Sequence, residues 1–544
     1  MIRSIERLLR AFILGLLCCV VVTLWACVGT RILRPSSEID EAGFREHVRA
    51  LSSDEFAGHE PTSAGEEKTI AYLVEHLRKL GLKPGNGASY LQAVPLAEVR
   101  VAAGVSLSVS GRDGVYPLSY AKDVVIWSRR EVAEARLAHS ELVFVGYGIV
   151  APEYAWNDYA QTDVRGKTVV VLINDPGVAT KHPKVFKGGV MTSYGLWSYK
   201  IEEAGRHGAS GVLLVHDADA AAIAWNAVVN TWTGPQLRTP GTEGNASLPV
   251  IEGWMSLTAT RALFVRAGLD FAVLSTAAAR SGFKSLPMGL VVDAQLHNSI
   301  RAVTYSNVIA LLPGGRRGHE YVMFTAHWDH FFNGAIDNAS GTAGLLMLAQ
   351  SFSRTLPSPD RSMVFLALAG EEPGLLGSQY YADNPIFPLG DTAGVINLDS
   401  LHIGGPTRDV SVFGNGNSEL EGLLRDAAIL QGRELHSDPS PGQGQYFCSA
   451  QFSFAKKGVP ALYAKGGIDD AARGAPWGRA QLADFTTQRY RQATDQYSPD
   501  WDVRGTLDDL RLYYDVGNQL AHSRRFPDWY PNSEFRASHG HGGP

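Results

Sequence analysis

From about residue 300 onward, short apolar runs alternate with segments in which apolar residues recur at helical spacing. The runs YVMFTA, MVFLALAG and AGVINLD have the length of buried strands. Between the first two, ASGTAGLLMLAQSF places Leu345, Leu348 and Phe352 along one face of a helix. Strands that alternate with helices in this way predict a doubly wound, mostly parallel sheet with helices on both faces. We therefore expect an α/β fold for this part of the chain.

The chain before residue 300 follows two other patterns. In EEKTIAYLVEHLRKLGLKPG, Ile70 and Leu73 begin a series at helical spacing, and Gly81 ends the predicted helix. Between residues 140 and 278, the runs ELVFVGYG, GKTVVVLIND, GVLLVHD and LPVIEGW are typical of strands. This set predicts a small, β-rich domain that is inserted into the α/β domain.

These patterns divide the chain into five parts. The predicted parts are a signal peptide or N-terminal membrane anchor at residues 1–34, the N-terminal part of the main domain at 38–139, the insert at 140–278, the main domain at 279–530 and a flexible tail at 531–544. The first part contains an uncharged stretch, residues 11–29, with arginines on both sides, which is the pattern of an export signal or anchor. We therefore expect an exported protein that is periplasmic, membrane-anchored or secreted.

The composition of the chain indicates a globular protein and argues against some classes of partner, but it does not identify the function. The 544 residues are 45% hydrophobic and 19% charged, which is typical of globular domains and sufficient for two or three of them. The net charge of −6 gives no reason to expect a nucleic-acid partner. Three of the four cysteines fall in the predicted export segment, so Cys448 has no partner in the rest of the chain and we expect no disulfide.

Acidic and imidazole side chains follow the apolar runs of the predicted parallel sheet. His327 and Asp329 come directly after YVMFTA. Glu371 and Glu372 follow MVFLALAG, and Asp399 ends AGVINLD. Because the carboxyl ends of parallel strands meet at one edge of a sheet, where ligands bind, we expect these side chains to converge.

Asp337 adds a further carboxylate at the start of the following helix. Carboxylates that crowd in a half-buried crevice repel one another and resist ionisation unless a cation compensates them. One histidine among several carboxylates suits zinc, and a shared carboxylate suits two ions about 3.5–4 Å apart. A single acid at such a place often only caps a helix, as Asp337 could do, but the ordered set favours a metal site.

The segments AHWDH, GAIDNASG, LALAGEEPGLLGS and INLDS, in this order, resemble the motifs of the cocatalytic zinc peptidases. This family includes bacterial leucyl aminopeptidase, glutamate carboxypeptidase and the glutaminyl cyclases. The strand order of the insert, from VFVGYG to LPVI, resembles a protease-associated domain. The resemblance implies a zinc aminopeptidase-like catalytic domain, one or two zinc ions and a peptide substrate, with the insert as a lid or a wall of the peptide site.

The resemblance also implies a role for each residue at the strand ends. The metal ligands that it implies are His327, Asp337, Glu372 and Asp399. Asp337 would be shared by two zinc ions, with Glu372 on the second. Glu371 would be the general base that removes a proton from the attacking water. Asp329 would orient the metal-binding histidine.

Two departures from the family pattern bear on activity. The family places a histidine ligand of the second zinc in a late motif, where this chain has RYRQATDQY with Arg491 at that position. A guanidinium does not lose its proton in proteins and cannot bind zinc. The family also has Ser-Asp where this chain has Ser449-Ala450. Three outcomes stay open: His402 or His330 replaces the missing ligand, a single zinc ion suffices, or hydrolysis has been lost.

We predict that Arg491 pairs with Glu372 or Asp337 and takes the place of the second zinc ion. On this hypothesis the protein holds one zinc ion, at His327, Asp337 and Asp399. The function that we favour is an exported, zinc-dependent metallopeptidase of the aminopeptidase type. The alternative is a catalytically impaired pseudo-peptidase that binds peptides or a partner. A glutaminyl cyclase is less favoured, because that enzyme also needs the histidine that Arg491 replaces.

Overall fold

The computed structural model describes residues 39–56, 63–221, 223–240 and 247–536. The predicted signal or anchor segment at residues 1–34 lies outside the described residues, as does the end of the predicted tail from residue 537. Within the described ranges, no helix combines the length and the apolar character that crossing a bilayer requires.

The strands and helices are numbered in chain order. The strands are β1 (Lys83–Pro84), β2 (Leu91–Val101), β3 (Ser106–Gly111), β4 (Gly114–Pro117), β5 (Val124–Trp127), β6 (Glu134–Phe144), β7 (Val150–Ala151), β8 (Trp156–Asn157), β9 (Thr168–Leu172), β10 (Gly211–His216), β11 (Gln236–Arg238), β12 (Ile251–Ser256), β13 (Leu286–Leu312), β14 (Arg317–His327), β15 (Arg361–Leu368), β16 (Thr392–Asn397), β17 (Asp409–Phe413), β18 (Glu434–Ser437) and β19 (Ala461–Gly466). The helices are α1 (Glu41–Leu51), α2 (Ala64–Lys79), α3 (Pro176–Thr180), α4 (Trp197–Arg206), α5 (Ala218–Ala221), α6 (Trp225–Trp232), α7 (Leu257–Arg266), α8 (Phe271–Ala278), α9 (Ser340–Ser353), α10 (Leu376–Asp383), α11 (Leu420–Leu430), α12 (Gln451–Ala455), α13 (Ala475–Asp484) and α14 (Arg504–His522).

Helix α2 forms where helical spacing predicted it. Its N-cap is Ser63, whose side-chain oxygen accepts a hydrogen bond from the main-chain N–H of Glu66 at 3.1 Å. Leu73 and Leu77 lie on the buried face of the helix. Gly81, with a φ of 78°, takes the left-handed conformation that commonly ends a helix. The cap, the apolar face and the final glycine are all local features, so the sequence predicts this element well.

The central sheet of the main domain is parallel. β14 lies between β15 and β16 and runs parallel to both, and β19 continues the parallel part beyond β16. The outer pairings are antiparallel, since β13 pairs with β15 on one side and β17 pairs with β19 on the other. The predicted α/β fold with a large, mostly parallel sheet is confirmed.

Successive residues of the central strands face two different apolar cores. Val322, Phe324 and Ala326 of β14 belong to one core, whereas Met323 belongs to the other. Helices α9, α11 and α14 contribute to the first core and α12 contributes to the second. Because both faces of the sheet are covered, successive residues in the central part of each strand are apolar, which explains the continuous apolar runs in the sequence.

Strand β13 joins the main domain to a second sheet. Its C-terminal part pairs with β2, and its N-terminal part pairs with β3 and β6. From β6 this second sheet continues through β9, β10 and β12 to β5, and two further apolar cores cover it. Strands β9, β10 and β12 of the predicted insert, residues 140–278, lie in this sheet, whereas β11 pairs with β2, and the sheet also includes β3, which begins at Ser106. Its identity as a protease-associated domain stays a prediction.

The core of the main domain provides a test of this packing. Leu348 on α9 is fully buried, whereas Leu430 at the end of α11 is 63% exposed. We expect Leu348→Ala to lower the free energy of unfolding by about 2–5 kcal/mol, because it removes buried methyl groups and leaves a cavity. The matched variant Leu430→Ala should change it by no more than about 0.5 kcal/mol. Urea denaturation of both variants measures the difference, and equal effects would contradict the assigned core.

Candidate metal centre

Three side chains from separate parts of the chain meet at the carboxyl edge of the parallel sheet. His327 ends β14, Asp399 follows β16, and Asp337 lies in the turn Ala335–Ala339 before α9. Nε2 of His327 is 3.6 Å from Oδ1 of Asp337 and 3.7 Å from Oδ1 of Asp399. One ligand atom from each residue lies within 4.8 Å of the others, and all three residues are buried. The structure thus brings together His327 and Asp399, which the strand-end argument placed at this edge, and Asp337 from the start of the next helix.

The ring of His327 is held by a main-chain oxygen. Its Nδ1 lies 2.8 Å from the carbonyl oxygen of Asp329, whereas the nearer carboxylate oxygen of Asp329 is 3.9 Å away. Nδ1–H therefore donates to the carbonyl and leaves Nε2 as the free ligand atom. The carboxylate of Asp329 instead accepts the main-chain N–H groups of Glu371 and Glu372, both at 3.1 Å. Asp329 orients the histidine, but through its main chain and not through the predicted carboxylate.

Asp495 fixes the main chain at Asp337. Its carboxylate accepts the N–H of Ile336 at 3.0 Å and the N–H of Asp337 at 3.0 Å. Burial raises the pKa of Asp495 to about 7, and these two N–H groups oppose the rise. We did not predict a role for this residue, although it lies in the motif RYRQATDQY, four residues after Arg491.

Two serine hydroxyls complete the surroundings of the acidic ligands. Oγ of Ser400 is 2.9 Å from Oδ1 of Asp337 and 2.9 Å from Oδ1 of Asp399, so it links the two carboxylates. Ser449 donates to the other oxygen of Asp399. Its neighbour Ala450 lies in an apolar core, so the second departure from the family pattern puts no charge in the site. Neither serine was predicted, because hydroxyls near strand ends are too common to single out.

Burial and the neighbouring charges shift the pKa values of the site in opposite directions. Burial lowers the pKa of His327, but the nearby carboxylates of Asp337 and Asp399 outweigh it and raise the pKa well above its usual value. Burial would raise the pKa of Asp399, but His327 reverses this and the pKa falls. Burial raises the pKa of Glu371 well above its usual value. Both of its carboxylate oxygens lack a hydrogen-bond partner in the described part of the chain.

These residues fit one metal ion. One imidazole nitrogen and two carboxylate oxygens are the donors that zinc takes in catalytic sites, where a fourth position stays open for water or substrate. A divalent ion would also compensate the negative charge of the buried carboxylates. Neither His402 nor His330 belongs to the group of described residues whose ligand atoms lie close enough together to hold an ion.

The residues do not fit a second ion. Nη2 of Arg491 lies 2.7 Å from Oε2 of Glu372, and their side chains are only 15% and 8% exposed. Burial would lower the pKa of Arg491, but Glu372 outweighs it and raises the pKa, so the guanidinium stays charged. A cation in contact with Glu372 repels a second ion and occupies its ligand. The predicted pairing of Arg491 is thus present. Its partner is Glu372 and not Asp337, and the pair makes one close contact, between Nη2 and Oε2.

A cavity of about 380 Å³ opens beside the ligands. Its lining includes Ser400 and Ile336, the chain neighbours of Asp399 and Asp337. Its apolar walls are formed by Leu401, Ile403, Phe413, Trp477, Leu482, Phe485 and Trp501. His402 also lines this cavity, which places it with the wall and not with the metal ligands.

Comparison with known proteins agrees with this geometry. Residues 307–514 match Peptidase family M28. The predicted resemblance to zinc peptidases is confirmed for this segment, which contains all the ligands described above. The mouse protein "Aminopeptidase NAALADL1" is 32% identical over 169 residues, 30% of this chain and 21% of the relative. "Leupeptin-inactivating enzyme 1" of Streptomyces exfoliatus is 34% identical over 128 residues, 23% of this chain and 28% of the relative.

This chain spans only 21% and 28% of the length of these two curated relatives. Solved structures resemble almost the whole chain. An aminopeptidase from Aneurinibacillus sp. strain AM-1 is 18% identical with a TM-score of 0.54, over 89% of this chain and 95% of the other. A peptidase M28 precursor from Shewanella amazonensis SB2B is 15% identical with a TM-score of 0.50, over 91% and 97%. At these identities the likeness establishes the fold alone.

The contact between Asp495 and the main chain at Asp337 yields a prediction. We expect Asp495→Asn to weaken zinc binding by about 10–100-fold, because the amide accepts fewer hydrogen bonds and no longer fixes Asp337. Competition with a chromophoric chelator measures the affinity. The control is Asp500→Asn, an exposed acid nearby, which should leave the affinity unchanged. Equal zinc affinity in both variants would show that Asp495 does not support the site.

Proposed function

We propose that this protein is a zinc-dependent peptidase of the aminopeptidase type, which removes N-terminal residues from peptides. The position of Glu371 carries the proposal. Its buried carboxylate has no hydrogen-bond partner among the described residues, and its charge acts on His327 and Asp399. A buried acid without partners destabilises the fold, so such a group points to a role in a reaction. The match to peptidase family M28 supports the same class of reaction.

The residues of the chain account for the proton transfers. Zinc held by His327, Asp337 and Asp399 would polarise the scissile carbonyl and increase the acidity of a water molecule. Glu371 accepts the proton of this water as its oxygen adds to the carbonyl carbon, and returns the proton to the amine when the C–N bond breaks. Asp329 holds the base in place, because its carboxylate binds the N–H of Glu371.

Glu372 is the group that we assign to the free N-terminus of the substrate. One of its oxygens contacts Arg491, whereas Oε1 is buried and has no hydrogen-bond partner in the part of the chain that the structure describes. An ammonium group needs such an acceptor, because it carries three N–H donors. The mouse relative that is named an aminopeptidase supports this choice.

The cavity beside the ligands suits the side chain of the N-terminal residue. Aliphatic and aromatic side chains form a large part of its lining, beside charged residues such as Lys465 and Asp484, and the lining includes Ser400 and Ile336, the chain neighbours of two ligands. Burial of a large apolar side chain there would contribute about 1.5–3 kcal/mol to binding. We therefore propose a preference for large apolar residues.

Two parts of the proposal rest on the sequence. The uncharged stretch at residues 11–29, between arginines, supports export with either a cleaved signal or a retained membrane anchor. The strand pattern at residues 140–278 supports a protease-associated domain that forms a wall of the peptide site.

A peptide-binding protein without activity is the second candidate. The contact between Arg491 and Glu372 favours it, because this contact removes one of the two metal positions of the cocatalytic peptidases. Glu371 favours the enzyme, since a protein that only binds peptides has no use for a general base. We keep the enzyme as the leading function for this reason.

The general base provides the main test. We expect Glu371→Gln to keep its zinc and its fold but to lose about 10²–10⁴-fold in kcat, because glutamine cannot accept the proton. Glu434→Gln, whose side chain is 86% exposed, is the control and should retain full activity. Turnover is followed by release of the aniline from a panel of amino-acid anilides. Equal hydrolysis of the N-acetylated anilides would overturn the aminopeptidase assignment, and unchanged activity of Glu371→Gln would remove the base from the mechanism.

The cavity predicts a change in specificity. Leu482→Trp should fill part of its volume and lower kcat/KM for leucine and phenylalanine anilides by about tenfold or more, with less effect on alanine anilide. Ala480→Trp, at an exposed position of the same helix, is the matched control. A uniform loss on all three substrates would show that the cavity does not hold the substrate side chain.

A further inference from the structure

We propose that Arg491 acts in place of the second metal ion by binding the oxyanion of the tetrahedral intermediate, and that the insert holds it in position through Asn230. This inference rests on the proposed function, since it assumes hydrolysis at the site described above. It makes Arg491 a catalytic residue and Asn230 a positioning residue.

The guanidinium lies at the reacting end of the site. It contacts Glu372, the chain neighbour of the general base, at 2.7 Å. The loop that carries it, residues 491–495, also carries Asp495, which binds the main-chain N–H of Asp337. The loop that carries Arg491 is therefore linked to the site through two contacts, that of Arg491 with Glu372 and that of Asp495 with Asp337.

Two nitrogen atoms of the Arg491 side chain, Nε and Nη1, are available to donate hydrogen bonds to a ligand. Its Nε is buried and has no hydrogen-bond partner among the described residues. Among the described residues, its Nη1 has one hydrogen-bond acceptor, Oγ1 of Thr231, at a long 3.4 Å. Buried N–H groups that lack an acceptor destabilise a fold, so they point to an acceptor that binds there during function. An oxygen with negative charge is the acceptor that a guanidinium binds best.

The insert holds Arg491 in a conformation that the residue does not favour by itself. The φ of Arg491 is 58°, in the left-handed region that a residue with a side chain rarely adopts without support. Nδ2 of Asn230 on α6 donates to the carbonyl oxygen of Arg491 at 3.2 Å. One turn earlier, Asn226 donates to the side chain of Gln492 at 2.8 Å. The two asparagines share a face of the helix, but it is Asn230 that binds the main chain of Arg491, whereas Asn226 binds a side chain next to it.

The charges of the reaction agree with this role. As the oxygen of water bonds to the carbonyl carbon, the C=O electron pair moves to the carbonyl oxygen and the proton of water moves to Glu371. The N–H groups of Arg491 donate to the resulting oxyanion. When the C–N bond breaks, the electron pair re-forms C=O, and Glu371 gives its proton to the leaving amine. A fixed cation that needs no rearrangement stabilises this charge most in a buried site.

The test compares zinc content, kcat and ligand binding in four proteins. The native protein should bind one zinc ion per chain. Arg491→Met should still bind one, with kcat lowered about 10²–10³-fold, as for the loss of an oxyanion donor. Its affinity for a phosphinate peptide, which imitates the tetrahedral oxyanion, should fall by a similar factor, whereas affinity for an unreactive peptide stays unchanged. Arg491→Lys keeps the charge and should lie between the two. Arg491→His should bind a second zinc ion.

A separate pair of variants tests whether Asn230 positions Arg491. Asn230→Ala should weaken phosphinate binding and lower kcat by about tenfold, with KM and zinc content unchanged. Asn226→Ala, which removes the same amide from the same helix without contacting Arg491, should behave like the native protein. Equal losses in the two variants would overturn the role of Asn230.

The outcomes separate this inference from the proposed function. If the native protein already binds two zinc ions, or if Arg491→Met binds the phosphinate as tightly as the native protein, the inference is wrong. Activity that depends on Glu371 but not on Arg491 would leave the proposed function intact and would overturn only this inference. A native protein that hydrolyses no peptide would instead overturn the proposed function, and the phosphinate arm would then decide the role of Arg491 in binding alone.

Discussion

The burial of negative charge at the ends of neighbouring parallel strands is the constraint on which the site depends. Each carboxylate there needs a partner, because an ionised acid resists removal from water. Main-chain N–H groups bind Asp329, serine hydroxyls bind Asp337 and Asp399, and a guanidinium binds one oxygen of Glu372. Glu371 is the exception, since both of its oxygens lack a partner in the described part of the chain. The reaction that we propose uses this one uncompensated acid.

A guanidinium and a metal ion compensate charge in different ways. An ion comes from solution, and its presence depends on its concentration and on the protonation of its ligands. Arg491 is part of the chain, stays charged at every physiological pH and is present in fixed proportion to the protein. It also donates hydrogen bonds with fixed directions, which an ion does not. On the single-ion proposal, zinc supplies the polarising charge and Arg491 supplies directed donors.

The insert takes part in the construction of the site at two places. Helix α6 contacts the loop that carries Arg491. Separately, Asn174 donates to the main-chain oxygen of Gly442 at 2.6 Å, on the segment that leads to Ser449 and its contact with Asp399. The arrangement of the site therefore depends on contacts between the two domains as well as on the α/β domain. This extends the expected role of the insert from a wall of the peptide site to a support of the catalytic loops.

The sequence by itself determined helices α2 and α9, the central strands β14 to β16 and the residues that follow these strands, because apolar runs, helical spacing and strand ends are local features. Only the tertiary structure decided that His327 meets the main chain of Asp329, that Asp495 fixes Asp337, that Arg491 pairs with Glu372 instead of Asp337, and that the second sheet begins well before residue 140. The physical reason is that these choices depend on side-chain direction and strand pairing. Both are set by contacts between segments far apart in the chain, and no local pattern records them.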